Sequence, residues 1–147
     1  MMIVPAIVWL LLGAIAIGCG AANGLGDALR RLALPLALIV AAGHMAKGLA
    51  KFVTWIGFVP LALRDPAGVE TARAVAGGSL PMPATVLPMP AVSFIAALLV
   101  LLAGWFAYRE FRLSEGRAAK RFLVPVVLLT GFFLFLVVGW GLPAAWR

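Results

Sequence analysis

The run LALPLALIVAAGHMAKGLAKFVTWIGFVPLAL, residues 32–63, decides the fold class. Its first half is apolar at helix length. Its second half carries His44, the only histidine in the chain, followed by Lys47 and Lys51. On an α-helix these three fall at i, i+3 and i+7 and share one face, which Trp55 continues a turn further on. Counting ~1.5 Å per residue from Leu32, His44 lies about 18 Å into a hydrocarbon layer roughly 30 Å thick, past its midplane but still inside. Lys51, at about 28 Å, reaches the far interface, and Lys47 snorkels towards it. An ionisable group at such depth is costly unless paired or solvated. The sequence therefore predicts that this face meets another helix, a cofactor or a polar cavity.

Composition fits that reading. The 147 residues are 65% hydrophobic and 12% charged, with a mean hydropathy of +1.13. A soluble domain of this length could not cover so much apolar surface, so the class expected is an integral membrane protein in a lipid bilayer. The net charge of +7 does not point to nucleic acid, because the basic residues sit at the ends of apolar runs, where they set topology. A single cysteine, Cys19, excludes an internal disulfide and any multi-cysteine metal site.

In chain order, the first span is expected at about 3–20. It lacks a basic leading region, so a cleaved signal peptide is not expected. An ordinary membrane helix is favoured over lipidation at Cys19. The connection AANGLGDALRR reads as a turn followed by the basic flank, Arg30 and Arg31, of a second span at 32–53. That span loosens at Gly57 and Pro60. Asp65-Pro66 reads as an N-cap with proline in the first helical position, opening a short surface helix over 67–77 that Gly77 and Gly78 stop. LPMP then occurs twice, at 80–83 and 87–90, which predicts a stiff polyproline strap. A third span is expected at 90–108, its helix continuing to Leu113 and stopping near Gly116. A fourth is expected at 122–141, with Trp140 and Trp146 at its exit. The fold class expected is thus all-α: one membrane domain, 1–147, a bundle of four transmembrane helices with a short surface helix and a Pro-rich loop. Gly13, Gly18, Gly104 and Gly131 are expected at close helix contacts.

The first and third connections hold seven lysines and arginines against five on the other side. The positive-inside rule then puts both termini and the Pro-rich loop outside the cytoplasm, which is periplasmic for a multi-pass protein of a bacterial inner membrane.

His44 is the candidate cofactor residue, with Lys47 and Lys51 beside it. A neutral imidazole ligates b-type haem or hydrogen-bonds a quinone, and lysines pair with a propionate or an anionic headgroup. The structural alternatives are a histidine bonded to a backbone carbonyl and lysines that merely snorkel. A second haem ligand would have to come from another chain. Met82 and Met89, on the same side as His44, suit soft copper(I), although such methionines more often pack. No metal site is expected. Nor is any catalytic set, since the sequence contains no nucleophile–base pair, carboxylate pair or phosphate loop.

The residues from His44 through Lys47 and Lys51 to FVPLALRDPAG (58–68), with Thr71-Ala72, resemble a membrane segment of bacterial polyferredoxin-type iron–sulfur electron-transfer membrane proteins. The resemblance covers residues 44–73, a fifth of the chain. Such proteins hold their clusters through several cysteines, and Cys19 alone holds none. The resemblance therefore implies a membrane subunit working beside a separate redox protein. The function expected is a non-enzymatic anchor subunit of a larger respiratory or redox-linked complex, with larger membrane subunits as partners and a quinone or haem site bordered by His44. The alternatives are a small transport or channel component and a structural scaffold.

Overall fold

The computed structural model of the chain describes residues 3–81 and 83–141, and these are all-helical, with no strand among them. The elements are α1 (Ile3–Gly18), α2 (Leu25–Trp55), a 3-10 turn at Ile56–Phe58, α3 (Val59–Arg64), α4 (Val69–Ala76), α5 (Met89–Glu115), a 3-10 segment at Gly116–Phe122 and α6 (Leu123–Gly141). Two continuous helical stretches, Leu25–Arg64 and Met89–Gly139, are long and apolar enough to cross a membrane, and Ala6–Gly18 is a shorter apolar helix. The second stretch folds back on itself where Gly116 takes a left-handed φ of 57°. α5 and α6 therefore lie side by side. α2 packs chiefly on α5, and α1 touches both α2 and α6.

The two short connections meet at one end of the bundle, and polar contacts fasten them there. α2 begins at Leu25, seven residues before the expected span, so Arg30 and Arg31 lie inside the helix and do not flank it. Arg31 Nε donates to Asp27 Oδ1 at 2.9 Å, and its Nη1 donates to both carboxylate oxygens of Glu115 at 2.9 Å. Asp27 also sits in the first turn of α2, where its negative charge faces the helix's positive end. Across the end, Arg121 Nη1 donates to the carbonyl of Gly20 at 2.8 Å. Directly inside these contacts, the rings of Phe111 and Phe122 stack with centroids 4.3 Å apart. They belong to a core that includes Leu12, Ala16, Leu32, Leu36, Ile39, Ala107, Val126 and Leu129. Near the other end a smaller cluster joins Ala46, Ala96 and Val137.

Small residues line much of the inside and large ones the outside. Ala16, Ala28, Ala46, Ala96 and Ala107 are fully buried, while Leu34, Phe94, Trp105, Leu113 and Phe135 are each more than 60% exposed. The closest approaches are at glycines. The Phe133 ring lies on the backbone of Gly43, a contact the sequence reading did not anticipate. A methyl group on Gly104 would come within 2.6 Å of Thr130 Oγ1, and one on Gly13 within 2.8 Å of Leu25 Cδ1. The expectation for Gly18 and Gly131 is corrected: each faces open space. Helix spacing is set by which glycine meets a side chain, and that depends on rotation of each helix about its axis.

Further on, α5 ends at Glu115 with Gly116 as its cap, as the sequence predicts, and α4 ends at Ala76 before Gly77 and Gly78. The Pro-rich strap has no helical structure over 79–81 and 83–88. A methyl group on Gly57 would lie 3.0 Å from the carbonyl of Ala84 and 3.1 Å from Pro83 Cβ, so the strap is seated on the 3-10 turn. Trp146 and Arg147 lie outside the described residues.

Gly43→Ala and Gly104→Ala should each lower stability by ~1–3 kcal/mol through overpacking. Gly131→Ala should instead raise it by roughly 0.5–1 kcal/mol, because it removes backbone freedom without a clash. Thermal unfolding in detergent reads both, and Phe133→Leu should rescue Gly43→Ala but not Gly104→Ala.

Candidate functional site

His44, Lys47, Lys51 and Trp55 do share one face of α2, and all four are exposed. The buried face of the same helix carries Leu32, Leu36, Ile39, Ala42, Gly43 and Ala46. The cationic face is thus exposed and borders α6, with Met89 of α5 further along. Two grooves run along it. One, about 200 Å³, is lined by Gly43, His44, Lys47, Phe133, Leu136 and Val137. The next, about 350 Å³, is lined by Lys47, Ala50, Lys51, Thr54, Trp55 and Met89. Lys47 belongs to both. A third groove, about 570 Å³, continues past Lys51 and Trp55 along Phe52, Ile56, Phe58, Val59 and Ala62.

The His44 ring is oriented by its own helix. Nδ1 lies 2.9 Å from the carbonyl oxygen of Val40. A carbonyl can only accept, so Nδ1 is the donor in this contact. Lys51 Nζ sits 5.8 Å from the centre of the Trp55 ring, within cation–π range. The ion pairs among the described residues are Arg30–Asp27, Arg31–Asp27 and Arg31–Glu115, all at the opposite end of the bundle. Lys47 and Lys51 thus present their charge outward with no carboxylate of the described chain upon them.

Met89 lines the groove of Lys47 and Lys51, while His44 lines the neighbouring one. Met82, the other half of the copper(I) reading, lies outside the described residues. Among the described residues no group of three or more His, Cys, Asp and Glu is placed to hold a metal ion.

Beyond the grooves, Asp65 organises the link from α3 to α4. It is not the N-cap the sequence predicts. Gly68, at a left-handed φ of 71°, holds that position, and α4 starts at Val69. Asp65 reaches over the intervening residues: Oδ1 accepts from the Gly68 N–H at 3.1 Å and Oδ2 from the Thr71 N–H at 2.8 Å. The amide of Thr71 is the chief reason its carboxyl is held below the usual value of 3.8. Thr71 and Ala72 also line an apolar recess of about 530 Å³ between α3 and α4.

The i−4 bond from His44 to Val40 was within reach of sequence reasoning, since both lie on one helix. Phe133, Leu136 and Val137 were not, because nothing in the local pattern says which face of α6 turns towards Gly43. In comparison with known proteins, no family model, no curated protein and no solved structure matches the chain.

A carboxyl with a lowered folded pKa stabilises the fold above its unfolded value and loses that contribution as pH falls through the folded one. The Asp65 link should therefore be intact near neutral pH and loosen below about pH 4. Hydrogen exchange of the amides of Gly68 and Thr71 should quicken at about pH 3, after correction for intrinsic rates. Asp65→Asn should abolish that pH dependence.

Proposed function

We propose that this chain is a four-span integral membrane subunit that anchors and shapes a larger, redox-linked electron-transfer complex, with the His44–Lys47–Lys51 face turned to a partner. The observation that carries the reading is the outward position of that face. At its expected depth the alternatives for His44 and Lys47 are lipid tails, which make charge costly, or a covering group. No described carboxylate of this chain pairs with these cations.

Membrane insertion is supported by the inside-out distribution of side-chain size. Only 39% and 28% of the two most apolar windows is buried within the chain, which is low for core helices of a soluble protein. Small residues at helix contacts and Leu, Phe and Trp outside are what lipid-facing helices use. In this reading α1 supplies a further span, and the turn at Gly116 divides the second stretch into two, α5 and α6. The redox assignment rests on the resemblance of residues 44–73 to polyferredoxin-type membrane proteins and on the chemistry of His44.

Of the two cofactors considered, a quinone fits this chain better. The His44 groove of about 200 Å³ lies below the usual ~300–1,000 Å³ of a complete ligand pocket. It suits one ring headgroup with its tail in lipid. A haem would need both its second axial ligand and most of its pocket from elsewhere, as the chain has no other histidine. The transport reading draws no comparable support, because the polar face lies outside the bundle and the described interior is apolar apart from the hydroxyls of Ser93 and Thr130.

Extraction in mild detergent should co-purify at least one larger membrane subunit carrying redox centres, seen by mass spectrometry and a visible absorption spectrum. A monodisperse monomer without partners would overturn the subunit reading. For topology, cysteines at Ala76 and Ser114 in a Cys19→Ser background report opposite ends. A membrane-impermeant thiol reagent should label position 76 and spare 114 in intact cells.

A further inference from the structure

We infer that a second copy of this chain pairs with it along the outer face of α2 and α3, side by side and parallel. The inference stands apart from the redox reading, since it uses an apolar stripe beside the cations and not the cations themselves. Leu34, Leu38, Met45, Phe52, Trp55 and Val59 form the stripe and are 42–69% exposed. Ala41 and Gly48, also exposed, fill its two remaining places, and a methyl group on Gly48 would meet nothing within 4 Å. The steps between these eight residues alternate between four and three, the repeat by which one helix packs its knobs into the holes of another.

Lipid tails cannot cover the whole stripe. From Leu34 to Leu63, itself 78% exposed, it runs about 43 Å at ~1.5 Å per residue. A tilt of about 40° would still leave about 33 Å, more than the roughly 30 Å of hydrocarbon. α5 begins at Met89, beside Lys51 and Trp55, and no residue of Ile56–Arg64 is buried. The end of the stripe therefore offers apolar surface where only protein can bury it. An open groove of about 570 Å³ along Phe52, Trp55, Ile56 and Val59 gives it holes for a facing helix. The helix that fits must carry the same repeat, and a second copy of α2 and α3 does. Two copies inserted with one topology are parallel, so Gly48 meets Gly48 and Ala41 meets Ala41, which lets the backbones approach. Parallel register also keeps the cations apart. His44 and Lys51 flank the stripe on the side that faces Leu49 and Ile56 of the second copy, whereas an antiparallel pair would set them against each other.

The test is disulfide cross-linking in native membranes, with a membrane-permeant oxidant and single cysteines in a Cys19→Ser background. Ala41→Cys, Met45→Cys, Gly48→Cys and Phe52→Cys should each give a band of twice the chain's mass. Leu101→Cys on α5 and Leu128→Cys on α6, 51% and 49% exposed but off the stripe, should not. A dimer band of equal strength at 101 and 128, or none at the four stripe positions, would overturn the inference. Gly48→Leu has room within the chain. It should lower the fraction cross-linked through Met45→Cys about tenfold, as overpacking of a paired seam would. Gly131→Leu, at an equally open glycine on α6, should leave that fraction unchanged, and equal loss in both variants would count against the seam. A benzophenone side chain at Val59 should link to a second copy, identified by mass spectrometry. Linkage only to lipid or to a different protein would overturn the pairing.

Discussion

The fold depends on a constraint that operates where apolar surface lies both inside and outside: hydrophobic burial alone does not tell a helix which face to turn inward. Shape does. Phe133 rests on Gly43 and Thr130 on Gly104, so α6 is brought against α2 at one level and α5 at another. The alanines along the contacts, among them Ala46, Ala96 and Ala107, let the backbones approach. Dispersion contacts of this kind are weak singly and add up only when surfaces interdigitate. Rotating α6 by one residue would separate Phe133 from Gly43 and leave a gap along α2.

Polar chemistry is sorted to the two ends of the bundle. At the end with short connections Arg31 bridges Asp27 and Glu115, and Arg121 reaches back to the carbonyl of Gly20. Arg109, Arg112, Arg117 and Lys120, also at that end, form no ion pair among the described residues. At the opposite end the cations have no such partners among the described residues, and the chain closes instead through backbone chemistry: the carboxylate of Asp65 on two amides, and the strap of Pro83 and Ala84 on Gly57. His44 bonds to its own helix, where Val40 is the acceptor one turn below it on the same face.

The sequence by itself determined the helical class, the positions of most helix ends and the shared face of His44, Lys47, Lys51 and Trp55, because all of these follow from local rules. Helical periodicity fixes which residues share a face, and glycine fixes where helices stop, as at Gly116 and at Gly77. Local rules misplaced the cap of α4, since Asp65 acts from three residues outside the position where an N-cap is expected while Gly68 adopts the left-handed turn.

Only the tertiary structure decided which way the His44 face points and what borders it. The helical wheel of α2 has two polarised sides but carries no record of where α5 and α6 stand. That is settled by side-chain volume across helices distant in sequence, through Gly43 with Phe133 and Gly104 with Thr130. The pairing of Arg31 with Glu115, 84 residues apart, is of the same kind. Periodicity is a property of one helix, whereas packing is a property of pairs, and a groove shared by His44, Lys47 and Phe133 exists only once the pair is formed.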